Sequence, residues 1–194
     1  MPYKEIILYL PKILFVERTM YHTQESRQQR LSSAIICKKD DAWLGEGYYF
    51  WKDIFDADRW GNTLKRKTGY YEIYQCNVKS EDILDTVFNE EHYDFWLAQI
   101  EKVGKKIVKE TGGKPTLKEL NDYFKEKGQW NTVDGILFQD LPENNNFLIV
   151  KPIRVTKTRV ASFCYRKRIQ LVVFNSNIIN NFTFLKREQV TEIQ

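Results

Sequence analysis

The 194-residue sequence predicts an α+β domain, on three observations. Segments rich in β-branched and aromatic residues come from both ends of the chain, which is the pattern of strands. Apolar residues at helical spacing fill the middle, about residues 81–129. No internal repeat or linker divides the chain, and 42% hydrophobic with 29% charged residues is enough for one compact core across 1–194. The expected architecture is therefore an antiparallel-dominated sheet carrying an inserted helical subdomain.

The elements follow in chain order. Strands are expected near Phe15–His22, Gly47–Trp51, Gly69–Val78, Gly135–Gln139, Phe147–Val155 and Ile169–Phe174. A short polar helix is expected over Gln24–Ile36. In the insertion, Phe88, Phe95, Trp96, Ile100, Val103 and Ile107 predict a helix over Glu81–Lys109, stopped by Gly112-Gly113-Lys114-Pro115. Thr116-Leu117-Lys118-Glu119 is a capping box, and Leu117, Leu120 and Phe124 extend it as an apolar stripe up to Gly128. Pro142-Glu143-Asn144-Asn145-Asn146 has the composition of a hairpin loop.

Composition narrows the function. Cys37, Cys76 and Cys164 are scattered and lack a Cys-x-x-Cys pair, so neither a disulfide framework nor a metal site is indicated, and a reducing cytoplasm is the expected setting. Pro11-Lys12 divides the apolar clusters of the first sixteen residues, so a signal peptide is not expected there. No apolar run approaches the ~20 residues that span a bilayer, so no membrane partner is expected. A net charge of +4 permits a phosphate-bearing partner without demanding one.

Leu44-Gly45-Glu46-Gly47-Tyr48-Tyr49-Phe50-Trp51 is the most informative stretch. Its two glycines allow a tight bend or close backbone approach beside a run of aromatics, and strand alternation gives one ring to the core and the next to a pocket. That suits a ring-bearing ligand. Tyr21-His22-Thr23 ends the preceding strand, although a histidine there is also a common structural residue.

In order and type, these segments resemble the ADP-ribosyltransferase superfamily, in the branch shared by poly(ADP-ribose) polymerases and diphtheria-like toxins. There a Tyr-His-Gly-Thr-like strand end precedes a helix and a Gly-x-Gly-x-Tyr-Phe strand. The resemblance covers about residues 13–60 and 135–179 and implies a split antiparallel sheet, NAD as substrate and no metal. It implies that His22 bonds a ribose hydroxyl, that the backbone at Thr23, where the family has glycine, holds the nicotinamide carboxamide, and that Gly47 lets the backbone approach the ligand. It further implies that Tyr49 packs on nicotinamide with Tyr48 facing away, that Ala57 lets the following helix lie close, and that Trp60 is the second clamping aromatic. Packing in the core is the alternative for Trp60.

The family's catalytic glutamate opens a C-terminal strand. The matching segment here is Gln170-Leu171-Val172-Val173-Phe174-Asn175, with Gln170 at the glutamate position. An amide donates and accepts hydrogen bonds but carries no charge for an oxocarbenium-like ribose. Glu46 and Asp53 are nearby carboxylates, with solvation or helix capping as their alternative roles. Basic residues recur at Arg27, Arg30, Lys38, Lys39, Lys65-Arg66-Lys67, Arg159 and Arg166-Lys167-Arg168, and the last cluster is the candidate acceptor site, with a solvated rim or contacts to the NAD pyrophosphate as the alternative.

The resemblance implies transfer of ADP-ribose to a protein or nucleic acid by a toxin or phage-defence effector. A separate reading makes the 81–129 helices the docking surface for an antitoxin or immunity partner, with packing in the core as the alternative for their apolar positions. The other reading is a non-catalytic module that binds NAD, a nucleotide or nucleic acid through a degenerate pocket, and Gln170 is its support.

Overall fold

The computed structural model describes residues 17–39, 42–63, 67–128, 132–140 and 168–191, with the backbone of 154–155 and 158–159. The hairpin expected at 142–146, most of the strand expected at 147–155, and Arg166, Lys167, Lys65, Arg66 and Cys164 lie outside the described residues.

The chain runs β1 (Glu17–Glu25), β2 (Tyr48–Trp51), α1 (Ile54–Thr63), β3 (Tyr70–Lys79), β4 (Ile83–Asp85), α2 (Glu90–Thr111), α3 (Leu117–Glu126), β5 (Gly135–Asp140), β6 (Arg154–Val155), β7 (Thr158–Arg159), β8 (Arg168–Val173) and β9 (Ile179–Gln189). Seven strands form one sheet in the order β4-β5-β8-β2-β1-β3-β9, antiparallel except for the β4–β5 pair. The expected α+β class, with an antiparallel-dominated sheet, is the one observed.

Strand alternation sorts the core onto two faces. On one face Tyr49, Phe138 and Val172 pack under α2 and α3 with Leu120 and Phe124, while Trp51, Tyr71 and Ile73 pack under α1 with Ala57. Met20, Phe50, Leu137, Leu171 and Val173 form the core of the opposite face, with Phe182 from β9 against it. Tyr48 joins that second face, as expected from its register beside Tyr49.

Three expectations are corrected. Residues 24–36 are not helical: β1 continues to Glu25 because Gln24 and Glu25 stay in register with Glu72 and Tyr71 of β3. The chain beyond it crosses the sheet as a loop, tied by the Leu31 amide donating to the Tyr74 hydroxyl at 3.0 Å. The long helix starts at Glu90, not Glu81, because Ile83–Asp85 pairs in parallel with Gly135–Leu137. Asn89 then caps α2, its side chain accepting from the His92 amide. The helical insertion thus spans 90–126, narrower than 81–129.

The C-terminal edge strand β9, which the sequence reading omitted, pairs with β3 and carries Lys186, Arg187 and Glu188, charges that discourage further pairing. Gly112 ends α2 with φ 72°, and Thr116 and Glu119 form both bonds of the capping box on α3. Most apolar positions of the two helices face the sheet: Phe95, Trp96, Ile100, Val103, Ile107, Leu117, Leu120 and Phe124 all join its core. That is the core alternative to a docking surface. No described helix is long and apolar enough to cross a membrane.

Candidate functional site

The sheet is nearly parted at its centre. β1 pairs with β3 over nine positions and β2 pairs with β8 over four, yet β1 and β2 share the single pair Tyr21↔Trp51. His22, Thr23, Tyr49 and Gln170 lie on the three strands around this split, drawn from both ends of the chain.

His22 closes the gap. Beyond the Tyr21↔Trp51 pair, His22 Nδ1 lies 2.9 Å from the Tyr49 carbonyl oxygen. The carbonyl can only accept, so Nδ1 carries the proton. Nε2 then accepts from the Ile35 amide at 3.3 Å and the Gln24 side-chain nitrogen at 3.1 Å. The ring is 3% exposed, and burial pushes its pKa down to about 4, with the bond to Tyr49 acting the other way. It is a neutral imidazole whose nitrogens are both engaged, packed on Phe50 with ring centroids 5.4 Å apart.

That placement corrects one expectation. The His22 ring shares the face of Phe50, whereas the Tyr49 ring projects to the other face, 6.5 Å edge-on to Phe138. The two side chains therefore do not line one slot, and in this conformation His22 has no ring nitrogen left for a ribose hydroxyl. The cause is strand alternation: His22 stands opposite Phe50, one residue out of phase with Tyr49.

Tyr49 is held at both ends. Its hydroxyl donates to the Gly45 carbonyl at 2.8 Å and receives the Leu44 amide at 3.1 Å, closing the Gly45-Glu46-Gly47 loop on its own aromatic strand. Burial raises its pKa well above the ordinary phenol value. Gly45 has φ 77°, the bend expected of it. Gly47 serves a different close approach from the one anticipated: a Cβ there would stand 2.5 Å from Val172 Cγ2 of β8, so the glycine admits the neighbouring strand. α3 pins the loop from above, with Lys125 Nζ donating to the Glu46 carbonyl at 2.8 Å.

On the Tyr49 face, α1 lies directly on β1. Thr23 Oγ1 donates to the Ala57 carbonyl at 2.9 Å, and Ala57 is fully buried, so its small side chain permits the contact. Trp60 packs on Trp51 with centroids 5.8 Å apart, and both belong to the cluster beneath α1. The core alternative for Trp60 thus describes part of its surface. Trp51, a residue the sequence reading did not single out, takes the place beside Trp60 that was expected for a ligand ring.

Gln170 sits where the α1 cluster meets the α2–α3 cluster, in register with Trp51 on one side and Phe138 on the other. It is half-buried, and its amide makes no hydrogen bond among the described residues. Arg168, expected as part of an acceptor-binding cluster, is 6% exposed and turned onto the sheet. Its guanidinium pairs with Asp140 at 2.9 Å and lies 5.0 Å from the centre of the Trp51 ring. A cation in that position supports β8 and cannot greet an acceptor from solvent.

The two nearby carboxylates take their ordinary roles. Asp53 Oδ1 accepts the Phe55 amide at 2.8 Å at the start of α1, and Glu46 meets Lys38 at 3.4 Å on the surface. No group of three or more His, Cys, Asp or Glu side chains gathers to hold a metal among the described residues. Comparison with protein-family models, curated proteins and solved structures gives no match to this chain.

Proposed function

We propose that this chain is an NAD-dependent ADP-ribosyltransferase, displacing nicotinamide and passing ADP-ribose to a macromolecular acceptor. The observation that carries the reading is the convergence of Tyr21-His22-Thr23, the Gly-x-Gly-Tyr-Tyr-Phe strand and Gln170 on three adjacent strands at the split. Gln170 offers the site's uncommitted polar group beside an aromatic wall of Trp51 and half-buried Trp60.

In this mechanism Trp60 stacks on the nicotinamide ring and the Gln170 amide oxygen accepts from a ribose hydroxyl as the glycosidic bond lengthens. Nicotinamide leaves with the bonding electron pair, and the acceptor's nucleophile adds to the same ribose carbon as its proton passes to solvent. Because Gln170 is neutral, rate acceleration falls chiefly on orientation, and an acceptor that is already a competent nucleophile suits the site. His22 acts here as a positioning residue, holding the Tyr49 backbone across the split.

A specific observation favours a second reading, a nucleotide- or nucleic-acid-binding module without turnover: Gln170 replaces a carboxylate and Trp51 packs where a ligand ring was expected. Calorimetry with NAD, followed by nicotinamide release and mass spectrometry of incubated RNA, DNA and protein for added ADP-ribose, separates the two. Transfer that drops about tenfold or more in Gln170→Ala and Trp60→Ala supports the enzyme. Binding without release supports the module, and neither binding nor release removes the enzyme and the NAD-binding form of the module.

A further inference from the structure

The face of the sheet opposite Trp60 and Gln170 holds an open cavity of about 560 Å3, floored by Met20 and Leu137 and walled by Arg18, Lys52, Asp85 and Phe88. Arg18 lies on β1 and Lys52 directly follows β2, so the cavity sits across the two strands that share a single pair. Its size falls in the range of small-molecule sites, roughly 300–1,000 Å3.

Its charges are unevenly committed. Glu17, on the rim, meets Lys79 at 3.4 Å and accepts from Asn77 at 2.6 Å. Asp85 Oδ1 accepts the Val87 and Phe88 amides at 3.1 and 2.9 Å. The cations are not so occupied: neither Arg18 nor Lys52 has a carboxylate within ion-pair distance among the described residues. Lys52 Nζ is instead held 4.2 Å above the centre of the Phe88 ring. Arg18 Nη1 is buried without a hydrogen-bond partner. Burial holds the Arg18 guanidinium below its ordinary value, the Asp85 charge opposing that shift. An orphaned buried donor is costly, and a ligand that satisfies it recovers that cost.

We propose that this cavity binds a phosphorylated small molecule, its phosphate held between Arg18 and Lys52 and its organic part on the Met20–Leu137 floor. Two cations, one on β1 and one just past β2, match the charge of a phosphate monoester better than that of a carboxylate. The volume and apolar floor exceed what a bare anion fills. Such a ligand would bridge β1 and β2 at their weakest junction. The site rests on different residues and the other face from the transferase reading, and stands without it.

The test is calorimetry on the full chain with AMP, adenosine and inorganic phosphate, in low and high salt. AMP binds, adenosine and phosphate bind more weakly, and salt weakens the AMP affinity. Arg18→Gln and Lys52→Gln each lower that affinity by about 10- to 100-fold. Lys52→Gln alters a side chain outside the core and keeps the test open should Arg18→Gln fail to fold. The proposal is overturned by an absence of AMP binding, by adenosine binding as tightly as AMP, or by an affinity that Gln170→Ala abolishes and Lys52→Gln leaves intact.

Discussion

Acidification should destabilise this protein through His22, and the size of the effect follows from its surroundings. The ring is 3% exposed and neutral, with a folded pKa of about 4 against an ordinary 6.5. Between those values the unfolded chain binds a proton that the folded chain refuses. Folding stability from this group is therefore complete above pH 6.5, declines as pH falls, and stops declining below pH 4. Each pH unit costs about 1.4 kcal/mol, so the full window removes on the order of 3 kcal/mol. Protonation also forces Nε2 to carry a hydrogen toward the Ile35 amide, which can only donate. The assay is urea unfolding at half-unit steps from pH 7.5 to 3.5 for wild type and His22→Gln. Buried His92, whose pKa is also lowered by burial, adds a change of the same sign to both proteins, so the difference between them reports His22. Curves for the two proteins that run parallel through the window would refute the reasoning.

Glycine substitutions should separate close approach from open space. Gly47→Ala drives a methyl to 2.5 Å from Val172 Cγ2 and should lower stability by about 1–3 kcal/mol in chemical denaturation. Gly104→Ala, inside α2 with nothing within 4 Å of the new carbon, should raise it by about 0.5–1 kcal/mol. Equal effects at the two sites would contradict the packing described. At the head of β8, Arg168→Met removes the cation paired with poorly exposed Asp140 and should cost about 1–3 kcal/mol. A second change, Asp140→Leu, should recover much of the loss in a double-mutant cycle. An additive cycle would show that the pair is not coupled.

Local signals in the chain proved legible wherever neighbouring residues decide the outcome. The Thr116–Glu119 capping box, the Gly112 stop and the bend at Gly45 involve partners within a few residues, and each appears as expected. So do β2, β3, β5 and β8, whose branched and aromatic runs are bounded by glycine or polar residues. β9 was missed: Phe182, Phe184 and Lys186 alternate, but exposed charges on an edge strand dilute the pattern. β4 offers three residues, too short a run for periodicity to distinguish from the helix that follows.

Among the candidate site residues, motif order along the chain was enough to group His22, Thr23, Tyr49 and Gln170, which lie on neighbouring strands. What each of them faces is set by the folded sheet. Whether His22 meets a ligand or a carbonyl depends on how far β1 and β2 splay, a property of the whole sheet. Whether Trp60 meets nicotinamide or Trp51, and Arg168 an acceptor or Asp140, depends on partners 9 and 28 residues away along the chain. A side chain's type is written locally, but burial and hydrogen bonding are settled by whichever distant group fills the space first, and that competition exists only in the folded molecule.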